Sequence, residues 1–255
     1  MKGSTQVASI NAVPEIFRVT LRQLMGRRRT IWLLLLAALP VLLALLFRAA
    51  GQTEIGPFTR IVFDTIAISI LMPLVAILFG SGAFGAEIDD GTIVYLLAKP
   101  VPRWMVVLAK AVAVMTVSIA LSGASMALAG AIDLAPLGAD GVKAAEAQVL
   151  GIVVGSVCYA SLFLAVSLFT RRALVIGVGY MLVWEGALSF MLPGIANLSI
   201  RQYALGAANA IYQLPVQESR LSPDTAFILA GVLVAVSLSL AVWRLMRFEL
   251  PGGSD

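Results

Sequence analysis

Six long apolar stretches constrain the fold of this chain more than any other feature. Each comes close to or exceeds the roughly 20 mostly apolar residues that a helix needs to cross a bilayer. The chain is 60% hydrophobic and 13% charged, too apolar for a water-soluble protein of 255 residues. The sequence therefore predicts an all-α polytopic membrane protein of one domain. The six predicted spans are Ile31–Phe47, Ile61–Phe84, Met105–Ile132, Val149–Phe169, Ala173–Leu192 and Ala226–Trp243.

The distribution of basic residues predicts the orientation of these spans. If the N-terminus, the second and fourth loops and the C-terminus share one side, that side holds most of the 18 basic residues. Cytoplasmic loops carry the excess of Lys and Arg, so both termini are expected to be cytoplasmic. This bias also accounts for the net charge of +4 without a nucleic-acid partner.

A basic segment precedes the first span. Over residues 14–29, apolar side chains recur at helical spacing while Arg18 and Arg22 occupy the intervening face. The pattern predicts an amphipathic helix in the membrane interface, with Arg27, Arg28 and Arg29 among the lipid headgroups. The alternative is a solvated basic lead-in.

Several absences narrow the function. The chain has no histidine, which excludes histidine-dependent catalysis and a histidine-based zinc site. It has no phosphate-loop motif, so it cannot hydrolyse ATP through one. The single cysteine, Cys158, lies inside a predicted span and is expected to be a packing residue. We expect no catalytic residue and no metal site.

A compact polar segment, 87–103, lies between the second and third spans. Asp90 and Gly91 are turn residues, and Ile93–Ala98 is long enough for one to two helical turns. Pro100 would end that helix, because the residue before a proline is pushed out of the α region. The segment predicts a short helix on the membrane surface. It could dock a cytoplasmic partner, or it could be an ordinary capped connector.

This segment, E-I-D-D-G-T-I-V-Y-L-L-A-K-P-V-P-R, resembles the coupling segment of type-2 ABC-transporter permeases, the six-helix membrane subunits of ATP-binding-cassette exporters. The resemblance extends over the chain in its interfacial helix, six spans, cytoplasmic termini and long fifth loop. The positions that match the family pattern are Glu87, Asp90, Gly91, Thr92, Leu96, Leu97, Pro100, Arg103 and Lys110.

The resemblance implies a transport mechanism. A separate cytoplasmic ABC ATPase subunit would bind the coupling helix, and ATP and Mg would bind that subunit, with no cofactor on this chain. A second copy or a homologous permease would complete the transporter in the cytoplasmic (inner) membrane. Glu87 is expected to form an ion pair with Arg103, Lys110 or the basic N-terminal helix.

The fifth loop, residues 193–225, mixes apolar and polar side chains. It resembles the re-entrant outer helices that cap the exit path in related exporters, which would make Arg201 and Tyr203 candidates for an outer gate. An amphipathic helix on the outer surface is the other interpretation. The tail, residues 251–255, is expected to be disordered.

Glu185, next to Trp184 in the fifth span, is the acid expected to lie deepest in the membrane, with Asp64 and Asp133 near the outer ends of their spans. An intramembrane carboxylate is a functional candidate. Glu185 and Trp184 could line the substrate path or a permease interface, or Glu185 could be a protonated structural group. Gly151 and Gly155 predict a close helix contact within the subunit.

Two other classes of protein are alternatives to the permease. A stand-alone secondary transporter or channel should carry several intramembrane charges and often inverted repeats. An intramembrane enzyme would need catalytic histidines or two acids at similar depth, and the sequence shows neither. Neither the spans nor the loops select a transported substrate.

Overall fold

The computed structural model describes residues 14–24, 26–51, 54–92, 101–188, 197–214 and 220–247. Within these ranges the chain is helical and has no β-strand. The helices are α1 (14–24), α2 (Arg27–Ala49), α3 (Ile55–Phe58), π1 (Thr59–Leu71), α4 (Met72–Asp89), α5 (Arg103–Asp133), α6 (Ala139–Phe169), α7 (Ala173–Gly179), π2 (Tyr180–Leu188), α8 (Ile200–Ala208) and α9 (Pro223–Met246).

Five helical stretches in the described part of the chain are long and apolar enough to cross a membrane. They are Thr30–Ala49, Ile55–Gly85, Arg103–Leu137, Ala139–Phe169 and Pro223–Met246. These confirm five of the six predicted spans. The predicted fifth span corresponds to a shorter apolar helix, Ala173–Gly186, and residues 189–196 lie outside the described ranges. The count of six spans therefore stays a prediction.

The fourth span is the centre of the bundle. Helix α6 packs against α4, α5, α8 and α9. It begins at Ala139, ten residues before the expected start at Val149, so polar side chains such as Gln148 also belong to the helix. By contrast, α2 and α9 expose long apolar side chains along their length. In a membrane protein such faces meet lipid or another subunit.

Two glycines let α6 approach its neighbours closely. A Cβ atom on Gly151 would lie 2.7 Å from the Ala204 carbonyl oxygen of α8. One on Gly155 would overlap the Met72 sulfur and lie 3.2 Å from the Ala204 Cβ. Small residues permit this backbone approach in membrane bundles. The predicted contact within the subunit is confirmed.

The second span and the shorter apolar helix Ala173–Gly186 change helix type along their length. The second span changes from π1 to α4 at Met72, one residue before Pro73, and the shorter helix changes from α7 to π2 at Tyr180. Pro73 lies next to this change and lacks the backbone N–H that a helix uses for its hydrogen bonds. π-helical turns are uncommon and frequently mark functional sites.

The N-terminal segment forms helix α1 over residues 14–24. Ile16, Thr20 and Leu24 are buried on one face, and Arg18 and Arg22 are exposed on the other. This burial agrees with a two-faced helix, while its place in the membrane interface stays a prediction. The predicted disordered tail, 251–255, lies outside the described residues.

Candidate functional site

Polar side chains gather in two separate clusters. The first cluster surrounds segment 87–103 and includes Glu87, Gly91, Arg103 and Lys110; we name it the coupling end after the role predicted for the segment. The second, named the outer end after the side predicted for it, brings together Asp64, Glu185, Ser199 and Arg201. The two clusters share no residue.

A buried ion pair defines the coupling end. Lys110 Nζ lies 2.7 Å from Glu87 Oε1, and the two side chains are 1% and 14% exposed. The ammonium group also donates to the Ala83 carbonyl at 2.5 Å and lies 4.6 Å from the centre of the Phe84 ring. Of the three expected partners of Glu87, the structure therefore brings Lys110 to it. The pair joins the end of α4 to α5.

The turn after α4 forms as the sequence predicts. Gly91 has a φ of 67°, a left-handed conformation that glycine adopts readily, and its N–H donates to the Ile88 carbonyl. The Thr92 hydroxyl donates to the Glu87 carbonyl at 3.5 Å, and Asp90 is exposed in the turn. The predicted coupling helix, with Leu96, Leu97 and Pro100, lies outside the described residues.

Arg103 fixes the other side of segment 87–103. Its guanidinium group donates to the carbonyl oxygens of Leu245 at 2.9 Å and Met246 at 2.7 Å. Both carbonyls lie at the last residues of α9, where a helix leaves carbonyl groups short of backbone donors. The first residue of α5 is thereby attached to the last turn of α9.

At the outer end, helix α8 is buried on all sides. All nine of its residues are buried, including Arg201 and Gln202, and it packs against α6 and α9. The alternative of a surface helix is wrong, since a surface helix would expose one face. The interpretation as a re-entrant helix is compatible with this burial.

Arg201 forms a buried ion pair with Asp64 of π1. The guanidinium group donates to Asp64 Oδ1, and the two side chains are 6% and 9% exposed. Asp64 lies within a helix that begins at Ile55, before the apolar stretch that starts at Ile61. Its expected position near the outer end of the span stays a prediction. The pair joins the second span to α8.

Glu185 of π2 holds the start of the same helix. Its carboxylate accepts hydrogen bonds from the Ile200 N–H at 2.8 Å, the Ser199 hydroxyl at 2.6 Å and the Tyr180 hydroxyl at 3.2 Å. A carboxylate is stabilised at a helix N-terminus by the free N–H groups there. Glu185 therefore joins π2 to α8, and its expected role in a substrate path or a permease interface stays a prediction.

The two networks border one cavity. It has a volume of about 190 Å³ and lies between π1, π2, α6 and α8. Most of its wall is apolar, from Ile68, Ile70, Met181 and Leu182. Glu185 and Arg201 also line it.

Tyr203 and Trp184 hold the chain just before α8. The Tyr203 hydroxyl donates to the Asn197 carbonyl at 2.6 Å, and burial raises the pKa of this phenol, so it stays a donor. The Trp184 indole N–H donates to the Leu198 carbonyl at 3.3 Å. Both residues singled out in the sequence therefore belong to the outer end.

Five charged side chains of the described residues are buried in the protein: Asp64, Lys110, Asp133, Glu185 and Arg201. Burial in the protein is not depth in the membrane, so the expectation that Glu185 lies deepest stays a prediction. The described residues contain no group of three or more acids, cysteines or histidines that could hold a metal ion.

These features define a class: a multi-pass helical membrane protein whose two described ion pairs lie in two separate clusters. The family model described as ABC-2 family transporter protein matches residues 25–193. The chain belongs to the ABC-2 transporter family and is an ABC transporter permease, as the resemblance of segment 87–103 predicts. Comparison with curated proteins gives no significant match. Membrane proteins of this family work with ABC ATPases in general.

Proposed function

We propose that the chain is the membrane subunit of an ABC exporter, driven by a separate ATPase subunit that binds segment 87–103. ATP and Mg bind the ATPase subunit, and this chain converts ATPase closure into movement of its spans. The permease works in the cytoplasmic (inner) membrane with both termini in the cytoplasm. It pairs with a second copy or a homologous permease.

The observation that carries this proposal is that both sides of segment 87–103 are attached to the bundle. On one side, the Glu87–Lys110 pair joins α4 to α5. On the other, Arg103 joins α5 to the last turn of α9. A force applied between these points would reach three helices at once. A connector that served only to join two spans would need neither attachment.

The first experiment is co-purification of the tagged permease from its native membranes in mild detergent. The proposal expects a stoichiometric partner that contains a phosphate-loop motif. A well-folded permease that repeatedly purifies alone would contradict it.

The second experiment measures coupling in the reconstituted complex. Glu87→Gln should reduce the ATPase activity that depends on the permease, since it removes the charge that holds α4 to α5. Asp140→Asn, at an exposed acid far from segment 87–103 in the sequence, is the matched control. Unchanged assembly and ATPase activity in Glu87→Gln would remove Glu87 from the mechanism.

We also propose that α8 is the outer gate of the translocation path, with Arg201 and Tyr203 holding it closed and Glu185 and Trp184 beside the path. The support is that a helix too short to span the membrane contributes Arg201 to the wall of a cavity between π1 and π2. A gate has to close a space and be held by contacts that can be released. The ion pair to Asp64 and the hydrogen bonds to Glu185 are such contacts.

State-dependent labelling tests the gate. In a Cys158→Ser background, Ser69→Cys places a thiol in the cavity wall. Labelling by a polar maleimide should change between nucleotide-free and ATP-bound complexes. A cysteine at exposed Asp224 should label equally in both states. Equal labelling at position 69 in both states would contradict the gate.

A further inference from the structure

A basic and aromatic patch lies where α6 and α9 end. It consists of Phe169 and Trp243, with Arg171, Arg172, Arg244 and Arg247. Neither the coupling end nor the outer end includes it. Arg244 and Arg247 belong to the same end of α9 that Arg103 holds, so the patch lies on the coupling side of the bundle.

The aromatic pair forms an exposed apolar shelf. The rings of Phe169 and Trp243 are stacked, with centres 6.5 Å apart and planes 20° from parallel. Phe169 is 48% exposed and Trp243 is 42% exposed. Aromatic rings at the ends of transmembrane helices lie at the depth of the lipid headgroups.

Arginines surround this shelf. The guanidinium group of Arg247 lies 4.3 Å from the centre of the Trp243 ring, and that of Arg244 lies 5.7 Å from the centre of the Phe169 ring. Arg244 Nε also donates to the Leu168 carbonyl at 3.4 Å, which ties the two helix ends together. Arg171 and Arg172 are exposed in the turn that follows α6.

The charge of the patch has one sign. The segments 168–172 and 243–247 contain four arginines and no acid. The C-termini of two helices favour nearby cations, which explains Arg244. The attraction of a helix C-terminus for cations falls off within the last turn. It also gives no role to the several N–H donors that each exposed guanidinium group presents in one plane. Donors in this arrangement match the oxygens of a phosphate group.

We propose that this patch is a binding site for one anionic phospholipid. Its phosphate binds Arg171, Arg172 and Arg247, and its acyl chain lies against Phe169 and Trp243. An anionic lipid fits the single sign of the charge, and the exposed rings at headgroup depth fit a molecule that is both charged and apolar. An acidic protein surface would match the arginines but not the rings.

Native mass spectrometry of the purified permease tests the site. Phosphatidylglycerol or phosphatidylcholine is added at a series of concentrations, and retained lipid is counted. The wild type should retain phosphatidylglycerol in preference to phosphatidylcholine. Arg171→Gln/Arg172→Gln should weaken phosphatidylglycerol binding about thirtyfold, because each basic residue near an anionic surface contributes about fivefold. Arg220→Gln, an exposed arginine before the other end of α9, should bind like the wild type.

Quenching of Trp243 locates the lipid. Brominated phosphatidylglycerol should quench a fluorescence component that disappears in Trp243→Phe, and Arg247→Gln should reduce this quenching.

If the arginine variants retain phosphatidylglycerol like the wild type, or if Arg220→Gln loses as much, the proposal is wrong. If they keep the lipid but lose the ATPase subunit, the patch binds protein instead. The lipid experiments use the isolated permease, so their outcome does not depend on the proposed coupling to an ATPase.

Discussion

The coupling end and the outer end each contain a buried ion pair. The two pairs differ in the sequence distance between their partners and in the exposed fraction of their side chains. Glu87 and Lys110 are 23 residues apart in the chain, whereas Asp64 and Arg201 are 137 residues apart. At the coupling end, Lys110 has two further partners, the Ala83 carbonyl and the Phe84 ring. At the outer end, both charged side chains are less than one-tenth exposed.

The difference shows what each pair does for the fold. The coupling pair links two consecutive helices that the chain would bring together anyway. The outer pair, with Glu185, fixes a short buried helix that is too short to cross the membrane. Loss of one charge should therefore cost more stability at the outer end than at the coupling end.

The largest effect is expected for Arg201→Met, which leaves the Asp64 carboxylate buried without its cation. Removing one partner of a buried pair costs about 3–5 kcal/mol of unfolding free energy. Denaturant unfolding in a fixed detergent micelle measures it. Adding Asp64→Asn to Arg201→Met should recover most of the loss, and Arg220→Met, at an exposed position, should stay within about 0.5 kcal/mol of the wild type. A small loss in Arg201→Met alone would show that the outer pair is not needed.

Glu87→Gln should cost less, about 2 kcal/mol, below the range for fully buried pairs. Lys110 keeps its bond to the Ala83 carbonyl, and Glu87 is 14% exposed. The same unfolding measurement applies, with Glu15→Gln as an exposed control. If Glu87→Gln costs more than Arg201→Met, the order of the two ends is reversed and the comparison fails.

Gly151→Ala tests the packing of α8 against α6. The new Cβ would lie 2.7 Å from a backbone oxygen, so one helix must shift, which costs about 1–3 kcal/mol. Gly231→Ala in α9 is the matched control, since no heavy atom lies within 4 Å of its Cβ position. The control should be neutral or stabilised by up to about 1 kcal/mol. Equal effects in both variants would mean that the close approach has no energetic role.

The smallest effect is expected for Arg103→Gln, about 1 kcal/mol. The Leu245 and Met246 carbonyls lose a charged donor, but groups at a helix end can bind water instead. Exposed Arg22→Gln is the control, and thermal unfolding of both variants measures the difference. A loss as large as that of Arg201→Met would mean that this contact holds the whole bundle.

The sequence predicted the coupling end better than the outer end, for physical reasons. Lys110 was a candidate partner of Glu87 because both lie beside one short loop. Nothing local linked Asp64 to Arg201, since their contact depends on the folded path of the intervening chain. The composition of α8 also fitted a surface helix, because its polar side chains are satisfied only by distant residues.

Helix type was not predictable in the same way. The apolar stretches gave the positions of five spans, since length and hydropathy decide whether a helix can cross a bilayer. They did not indicate that the helical turns that contain Asp64 and Glu185 would be π-helical. The change between turn types depends on hydrogen bonds one residue further along the backbone, and hydropathy does not record this.

The burial of α8 sets an order for the biogenesis of the protein. Nine residues with an arginine are too short and too polar to enter a bilayer independently, whereas long apolar helices can insert one by one. Helix α8 can reach its place only after the helices that carry Asp64 and Glu185 are in position. The polypeptide is therefore expected to insert its long helices first and to seat α8 last, so that the final step of maturation creates the outer end.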